Sequence, residues 1–392
     1  HIVNIVDWLL QYAFEQRASD IHLEPRRGKG KVRFRIDGVL HLVYELPDNV
    51  MTAMISRLKI LGRMDVAEKR RPQDGRIKTK APNASEVELR LSTMPTAFGE
   101  KLVMRIFDPD VLLRSFSQLG LVAEDYQQWQ SMIKRAHGIV LVTGPTGSGK
   151  TTTLYSTLRQ LATDSVNVST IEDPIEMVVD AFNQSQIQSA IEFDFAAGIR
   201  TLMRQDPDII MVGEIRDRAT AEMAVQAALT GHLVLSTLHT NDAPTAISRL
   251  LDLGMPAHLI KATLNGVMAQ RLVRTLCPDC RSEVLCDPEA WRELSGNAKQ
   301  PKTVYQPVGC LECRNTGYLG REGIYEIMPV CDELLGYIST ESDIQQIRDA
   351  AVSQGMKTLR MAGAEKVAAG ITSIAEVLRV TPELGVRRLA GA

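Results

Sequence analysis

The chain has little aromatic surface, 5% of 392 residues, and no strong charge of either sign. Its 45 Lys and Arg stand against 47 Asp and Glu, a formal net charge of −2. No global field therefore draws it onto nucleic acid or anionic lipid, and few rings are available to stack bases. No apolar run reaches the roughly 18 to 20 residues of a membrane-spanning helix. A basic leader followed by an apolar core is missing, so nothing reads as a secretory signal. An initiator Met is missing as well. The opening His1-Ile2-Val3-Asn4 already carries helical periodicity, so a fragment with further residues upstream is expected. Cysteine is scarce, six residues, yet it includes two C-x-x-C pairs, which favours a metal site in a reducing cytoplasm over disulfides. The length suits two or three domains, each with its own core.

What is present is concentrated around residue 144. Ile139–Val142 is a short apolar run leading into Gly144-Pro145-Thr146-Gly147-Ser148-Gly149-Lys150-Thr151, followed by Thr152. The stretch fills G-x-x-x-x-G-K-[ST] in the strand–loop–helix context that the motif requires. Glycines let the backbone curl so that successive N–H groups face a phosphate. Lys150 has the reach for β- and γ-phosphates, and the Thr151 hydroxyl suits Mg²⁺. A helix starting near Lys150 adds the positive end of its dipole. Residues 144–152 are therefore expected to bind a nucleoside triphosphate.

Around this motif the chain falls into blocks. Ile2, Val6, Leu9 and Ala13, with Val3, Leu10 and Phe14, predict an amphipathic helix ending near Ala18. Strand-like runs follow at Ser19–Leu23 and Lys31–Ile36, and Asp37-Gly38 leads into Val39–Tyr44 as a hairpin. A helix over Val50–Leu61 and strands at Val87–Leu91 and Lys101–Phe107 complete an α+β domain over residues 1–109. Residues 110–135 read as a linker. Over 136–276, apolar strands at Ile139–Val142, Val166–Ile171, Ile209–Val212 and Leu233–Thr237 alternate with helices. That alternation implies an α/β core with a mostly parallel sheet covered on both faces. A four-cysteine module over 277–325 and a helical region over 326–392 close the chain.

Three further segments narrow the chemistry. Ile209-Ile210-Met211-Val212-Gly213-Glu214 is an apolar strand ending in a carboxylate, placed to hold a Mg²⁺ shell with Thr151 or to orient water. Thr170-Ile171-Glu172-Asp173-Pro174-Ile175-Glu176 crowds three carboxylates behind another strand, which supplies candidate general bases. His232 and His239 bracket a buried strand; His239, with Thr240 and Asn241, suits reading a γ-phosphate, a satisfied structural histidine being the alternative. No N-K-x-D motif is present, which argues against guanine specificity, and no acceptor feature of a kinase is evident.

These four segments resemble the Walker A, Asp box, Walker B and His box of the ATPases of type II secretion and type IV pilus assembly. Ala18-Ser19-Asp20-Ile21-His22-Leu23-Glu24, the run from Ala67 to Arg76, and Arg90-Leu91-Ser92-Thr93 resemble that family's N-terminal domain. The likeness spans about Ile2 to Thr381, and the type II secretion ATPases are the nearer subgroup. The resemblance implies a RecA-like P-loop domain behind a smaller PAS-like α+β domain. It also implies a homo-hexameric, Mg²⁺-dependent ATP hydrolase on the cytoplasmic face of the bacterial inner membrane. Such an enzyme drives pseudopilus assembly and protein export, and meets inner-membrane secretion proteins through an upstream domain. Glu176 matches the carboxylate proposed as general base and Glu214 the Walker B carboxylate; Glu172 shares candidacy with them. Arg90 and Arg105 sit where the family presents arginines to ATP, with Arg249 and Arg321 as weaker candidates; a solvated strand arginine is the ordinary alternative.

Cys277-x-x-Cys280 and Cys310-x-x-Cys313 suit tetrahedral Zn²⁺ with no open position, so a structural site is expected. Residues 281–309 between the pairs exceed the usual spacing of about 15 to 20, which calls for a longer loop. Cys286 and Cys331 have no paired partner in sequence. Secretion and pilus-extension ATPases usually carry this module and retraction ATPases usually lack it, so type IV pilus extension ranks second and retraction a distant third. A nucleic-acid-translocating motor is a further alternative. The balanced charge and scarce aromatics speak against it, and no nucleic-acid partner is expected.

Overall fold

The computed structural model describes residues 1–83, 85–296 and 298–383. The chain divides into two units, His1–Val111 and Leu112–Ala392. Residues 384–392 of the helical region expected at the C-terminus lie outside the described residues.

In the first unit, α1 (Ile2–Glu15) buries Val6, Leu9, Leu10 and Ala13 along one stripe. It is followed by β1 (Asp20–Arg26), β2 (Lys29–Ile36), β3 (Val39–Pro47), α2 (Asp48–Leu61), β4 (Gln73–Lys80), β5 (Glu86–Thr96) and β6 (Gly99–Phe107). The strands form one antiparallel sheet in the order β3-β2-β1-β6-β5-β4. Alternation decides its two faces: Val32, Phe34, Val87, Leu89, Leu102 and Met104 point into the core shared with α1 and α2. Residues out of phase with them, Arg33, Arg35, Arg90 and Arg105, take the other face. The hairpin at Asp37-Gly38 is made as the sequence suggests, with φ of 50° and 84°. β4 escaped prediction because it is a polar edge strand whose only buried side chain is Ile77.

The short α3 (Pro109–Leu112) spans the boundary between the units, and α4 (Ala123–Ile133) is the first full helix of the second. Residues 110–135 are not a free linker. Trp129, Met132 and Ile133 of α4 are buried in the same core as Val140 and Val142, and the Trp129 indole donates to Thr157 Oγ1 at 3.2 Å. The short apolar stripe of α4 lies among polar residues, which hid it from the sequence reading. Next come β7 (Gly138–Thr143), α5 (Lys150–Leu161), β8 (Val168–Glu172), β9 (Asn183–Gln186), α6 (Phe195–Leu202), β10 (Ile209–Val212), α7 (Arg218–Leu229) and β11 (Leu233–Leu238). They lead to α8 (Ala243–Asp252), α9 (Ala257–Thr263) and β12 (Leu264–Leu276).

The remainder is β13 (Ser282–Leu285), α10 (Pro288–Ser295), β14 (Thr303–Gln306), β15 (Tyr318–Pro329), α11 (Asp332–Leu335), α12 (Ile344–Ser353), α13 (Leu359–Ala368) and α14 (Ile374–Val380). The main sheet runs β15-β12-β7-β11-β10-β8-β9, parallel throughout except for β15. Two boundaries move accordingly. Residues 318–325 belong to the sheet rather than to the cysteine module, and 326–329 are strand rather than helix. The module is an insertion between β12 and β15. Its Cys286, Trp291, Leu294 and Val304 continue the core of the unit, so it does not depend on metal alone for an interior.

No helix among the described residues is long and apolar enough to cross a membrane.

Candidate nucleotide site and cysteine centre

Parallel pairing places the carboxyl ends of β7, β8, β10 and β11 on one edge of the sheet. The loops that leave them, carrying Gly144–Lys150, Asp173–Glu176, Glu214 and His239, therefore start side by side. Gly144, Gly147 and Gly149 adopt φ of 153°, 80° and 89°, which a side chain would strain. A Cβ on Gly144 would also fall 2.6 Å from Gln270 O and Ser148 Oγ, and one on Gly149 would fall 2.7 Å from Gln270 Nε2. The loop is thus pressed against β12 on one side. On the other side Gly147 faces open space. Ser148 Oγ is buried without a hydrogen-bond partner, and Lys150 folds back to donate to the carbonyls of Gly144 (2.8 Å) and Pro145 (3.0 Å). An orphaned donor, a lysine resting on loop carbonyls and the amino end of α5 fit a phosphate group.

Burial pulls Lys150 down to about 8, helped by the charge of Arg271 and opposed by Glu214. Glu214 and Arg271 thus act on the lysine through their charges. Glu214 is held by Arg216, whose Nη2 lies 2.5 Å from Oε1, while Oε2 makes no hydrogen bond and lies 3.4 Å from His239 Nε2. Asp173 faces the same Arg216 electrostatically, since β8 and β10 are neighbours. A half-buried carboxylate with one oxygen free of hydrogen bonds, within electrostatic range of the phosphate lysine, suits Mg²⁺ or water. Thr151 is half-buried in the first turn of α5.

Glu172 is differently placed. It is buried at the end of β8 and accepts from the Tyr155 hydroxyl, from Thr170 Oγ1 (2.8 Å) and from Gln184 Nε2 (3.0 Å). Burial raises its carboxyl pKa, and both oxygens are engaged. Glu176 is half-buried on the following loop, within electrostatic range of Tyr155. Sequence reading missed Tyr155, Gln184, Gln270 and Arg271. Gln270 backs the loop and accepts from Thr153 Oγ1 at 2.7 Å; Arg271 donates to Asn241 O at 2.6 Å. The available signal was two adjacent polar residues inside the apolar run of β12.

In the first unit, Arg76, Arg90, Arg105, Asp20 and Arg35 are successive cross-strand partners and form one row on the open face of the sheet. Arg105 Nε donates to Asp20 Oδ1 at 2.9 Å, while Arg90 pairs with Glu88 at 3.1 Å and stacks on Phe107 at 4.0 Å. A cavity of about 490 Å³ opens over Arg76, Arg90 and Arg105. In the second unit, Arg249 reaches the carbonyl of Arg216 at 3.5 Å.

The four paired cysteines converge. Their sulfur atoms all lie within 4.8 Å of one another, with Cys277–Cys310 and Cys280–Cys313 at 3.8 Å and Cys310–Cys313 at 3.7 Å. A tetrahedron of Zn–S bonds about 2.3 Å long has edges of about 3.8 Å, so the donor set fits zinc. Burial resists ionisation of Cys313, but amides of Cys310 and Gly317 donating to its sulfur bring the thiol down to about 6. Cys286 and Cys331 stand outside this group.

A parallel sheet with a phosphate loop, a strand-end carboxylate and a histidine on one edge defines the core of a P-loop ATPase of the RecA type. The family described as "Type II/IV secretion system protein" matches residues 1–379. The chain belongs to that family of secretion ATPases. It is 63% identical over 384 residues to the type IV pilus assembly ATPase TfpB of Acinetobacter baylyi, covering 97% of this chain and 66% of that protein. It is 44% identical to the type II secretion system ATPase E of Vibrio cholerae (97% of this chain, 76% of that one). Identity to the type IV pilus assembly ATPase PilB of Myxococcus xanthus is 46% (96% and 67%). The chain thus spans 66% of the length of the Acinetobacter relative. Among solved structures, the pilus retraction motor PilT with bound ADP superposes with a TM-score of 0.63 at 25% identity (97% of each chain). The Legionella pneumophila ATPase DotB, at 23% identity, shares the fold with a TM-score of 0.70 (96% and 95%).

Proposed function

We propose that the chain is the motor portion of a hexameric ATPase that powers assembly of an extracellular filament, and that the filament is a type IV pilus. The observation that carries the first part is the edge of the main sheet, where Glu214 stands within electrostatic range of Lys150 in a complete phosphate loop. Loop amides and Lys150 bind the phosphates; His239 and Arg216 hold Glu214; Gln270 and Arg271 brace the loop from behind. Thr151 and Glu214 would hold Mg²⁺, which would supply charge neutralisation at the phosphates. Glu176 is the candidate to take the proton of the attacking water, and Glu172 acts as a buried strut under Tyr155. Zinc at the four cysteines is structural.

The choice of pilus over the type II pseudopilus ranked first from sequence rests on the 63% identity to a pilus assembly ATPase, against 44% to a secretion ATPase. The type II reading remains the second, because another pilus relative stands at only 46%. Two experiments test the proposal. Lys150→Ala is expected to abolish ATP turnover with an unchanged circular dichroism spectrum, and near-native turnover in it would remove the ATPase reading. Expression of the full-length protein in strains lacking either a pilus assembly or a type II secretion ATPase is expected to restore pili only; restored export without pili would reverse the choice.

A further inference from the structure

Behind the phosphate site, the segment after His239 is bonded to nearly every element around it. Thr240 N–H donates to Thr143 Oγ1 at 2.8 Å, at the end of β7. Arg271 Nη2 donates to Asn241 O at 2.6 Å, and Arg271 Nη1 to Gln270 O at 2.9 Å, the oxygen against which Gly144 is packed. Asp242 caps α8 by accepting from Thr245 N–H at 2.9 Å, and its other oxygen accepts from Arg348 of α12 at 2.7 Å. One residue then closes the path. Glu326, on β15 and 2% exposed, accepts from Ala243 N–H at 2.8 Å with one oxygen and from Leu359 N–H at 3.0 Å with the other. These are the first residues of α8 and α13, so a single buried carboxylate satisfies the otherwise unpaired amino ends of two helices.

We propose that Glu326 is a positioning residue that couples the phosphate site to the C-terminal helices, by bridging α8 and α13 behind the segment that Arg271 ties to β12, against which the loop packs. The inference rests on the ATPase reading of that site. Its physical content is that a shift at Gly144 or Asn241 is passed to Ala243 and, through one rigid carboxylate, to Leu359. No apolar contact would transmit direction in this way, because hydrogen bonds to both oxygens fix distance and angle together. The charge state of Glu326 follows from its surroundings. Burial pushes it up to about 7 and Asp242 adds to that, while the amides of Ala243 and Leu359 and the Arg348 guanidinium oppose it. Arg271 faces it from β12, and Arg360 of α13 turns away to Glu293 of α10. Protonation sets an O–H against one of the two N–H donors, so the bridge is intact above pH about 7 and loosened below it.

The test reads hydrogen exchange of 240–252 and 357–368 in the 392-residue protein, with and without MgADP, alongside turnover. Saturating MgADP is expected to slow exchange in both segments at pH 8. The slowing over 357–368 should be lost in Glu326→Gln while that over 240–252 persists, because an amide presents an N–H to one of the two donors. Turnover should fall about tenfold or more through kcat, and the acidic limb near pH 7 should disappear. Parent protein at pH 6 should reproduce the variant's exchange pattern, a measurement that needs no variant to fold. Protection of 357–368 by MgADP that is equal in parent and variant, or equal at pH 6 and pH 8, would overturn the coupling. A parent that binds MgADP and couples the segments but never turns over ATP would sink the ATPase reading instead.

Discussion

Lys150 offers the sharpest quantitative test of the phosphate site, because its fold has moved its titration into an accessible range. Burial behind the loop, with Arg271 nearby, holds its pKa at about 8 rather than 10.5. The charged form is the one that binds phosphate, and a bound phosphate favours that form further. The free protein's lysine is charged in a fraction of about 0.9 at pH 7 and about 0.09 at pH 9, taking one decade per pH unit beyond the pKa. Affinity for MgADP should therefore be nearly complete at pH 7, about half that at pH 8, and about tenfold lower at pH 9 than at pH 7, about 1.4 kcal/mol. A lysine at its ordinary value would lose about 3% of its charge over the same interval. Calorimetric titration in buffers of different ionisation enthalpy reads both quantities. Proton uptake per MgADP bound should rise from about 0.1 at pH 7 to about 0.9 at pH 9. Lys150→Met should bind weakly at both pH values and take up no proton. A flat dissociation constant without proton uptake in the parent would refute the placement of Lys150 behind a desolvated loop.

Other expectations concern single groups. Glu214→Gln and Glu176→Gln should each lower turnover about 100-fold or more while ATP still binds, since a water-directed carboxylate acts mainly in the transition state; normal hydrolysis in both would shift attention to Asp173. Metal analysis should find one zinc per chain, and Cys→Ser at Cys277, Cys280, Cys310 or Cys313 should expose the remaining paired thiols to titration. Because Trp291 and Leu294 are anchored in the main core, α10 should keep its amide protection in those variants, and loss of the whole insertion would contradict that anchoring. Arg90→Ala and Arg105→Ala should lower turnover by about 10³-fold if they supply charge to phosphoryl transfer as such arginines do; parental rates in both would leave Arg105 to its pair with Asp20 and Arg90 to Glu88 and Phe107.

The sequence alone determined whatever depends on neighbours along the chain. The phosphate loop, the strand-end carboxylate at Glu214 and the hairpin at Asp37-Gly38 are short patterns whose geometry follows from local φ/ψ and from an apolar run of strand length. The two C-x-x-C knuckles are equally local. Tertiary structure alone decided which local candidates share a site. Glu172, Asp173 and Glu176 look equivalent in sequence. Register buries Glu172 under Tyr155 and Gln184, while Asp173 is left exposed beside Arg216. Gln270 and Arg271 lie more than a hundred residues from the loop they brace, and only the parallel pairing of β12 with β7 brings them there. Pairing across the first sheet likewise aligns Arg76 with Arg90 and Arg105, which lie on three separate strands. Glu326 lies inside the apolar stretch of β15, between Tyr325 and Ile327, and carries no motif. Its two partners come from helices on either side of it in the chain, so its bridging role exists only once β15 has joined the sheet.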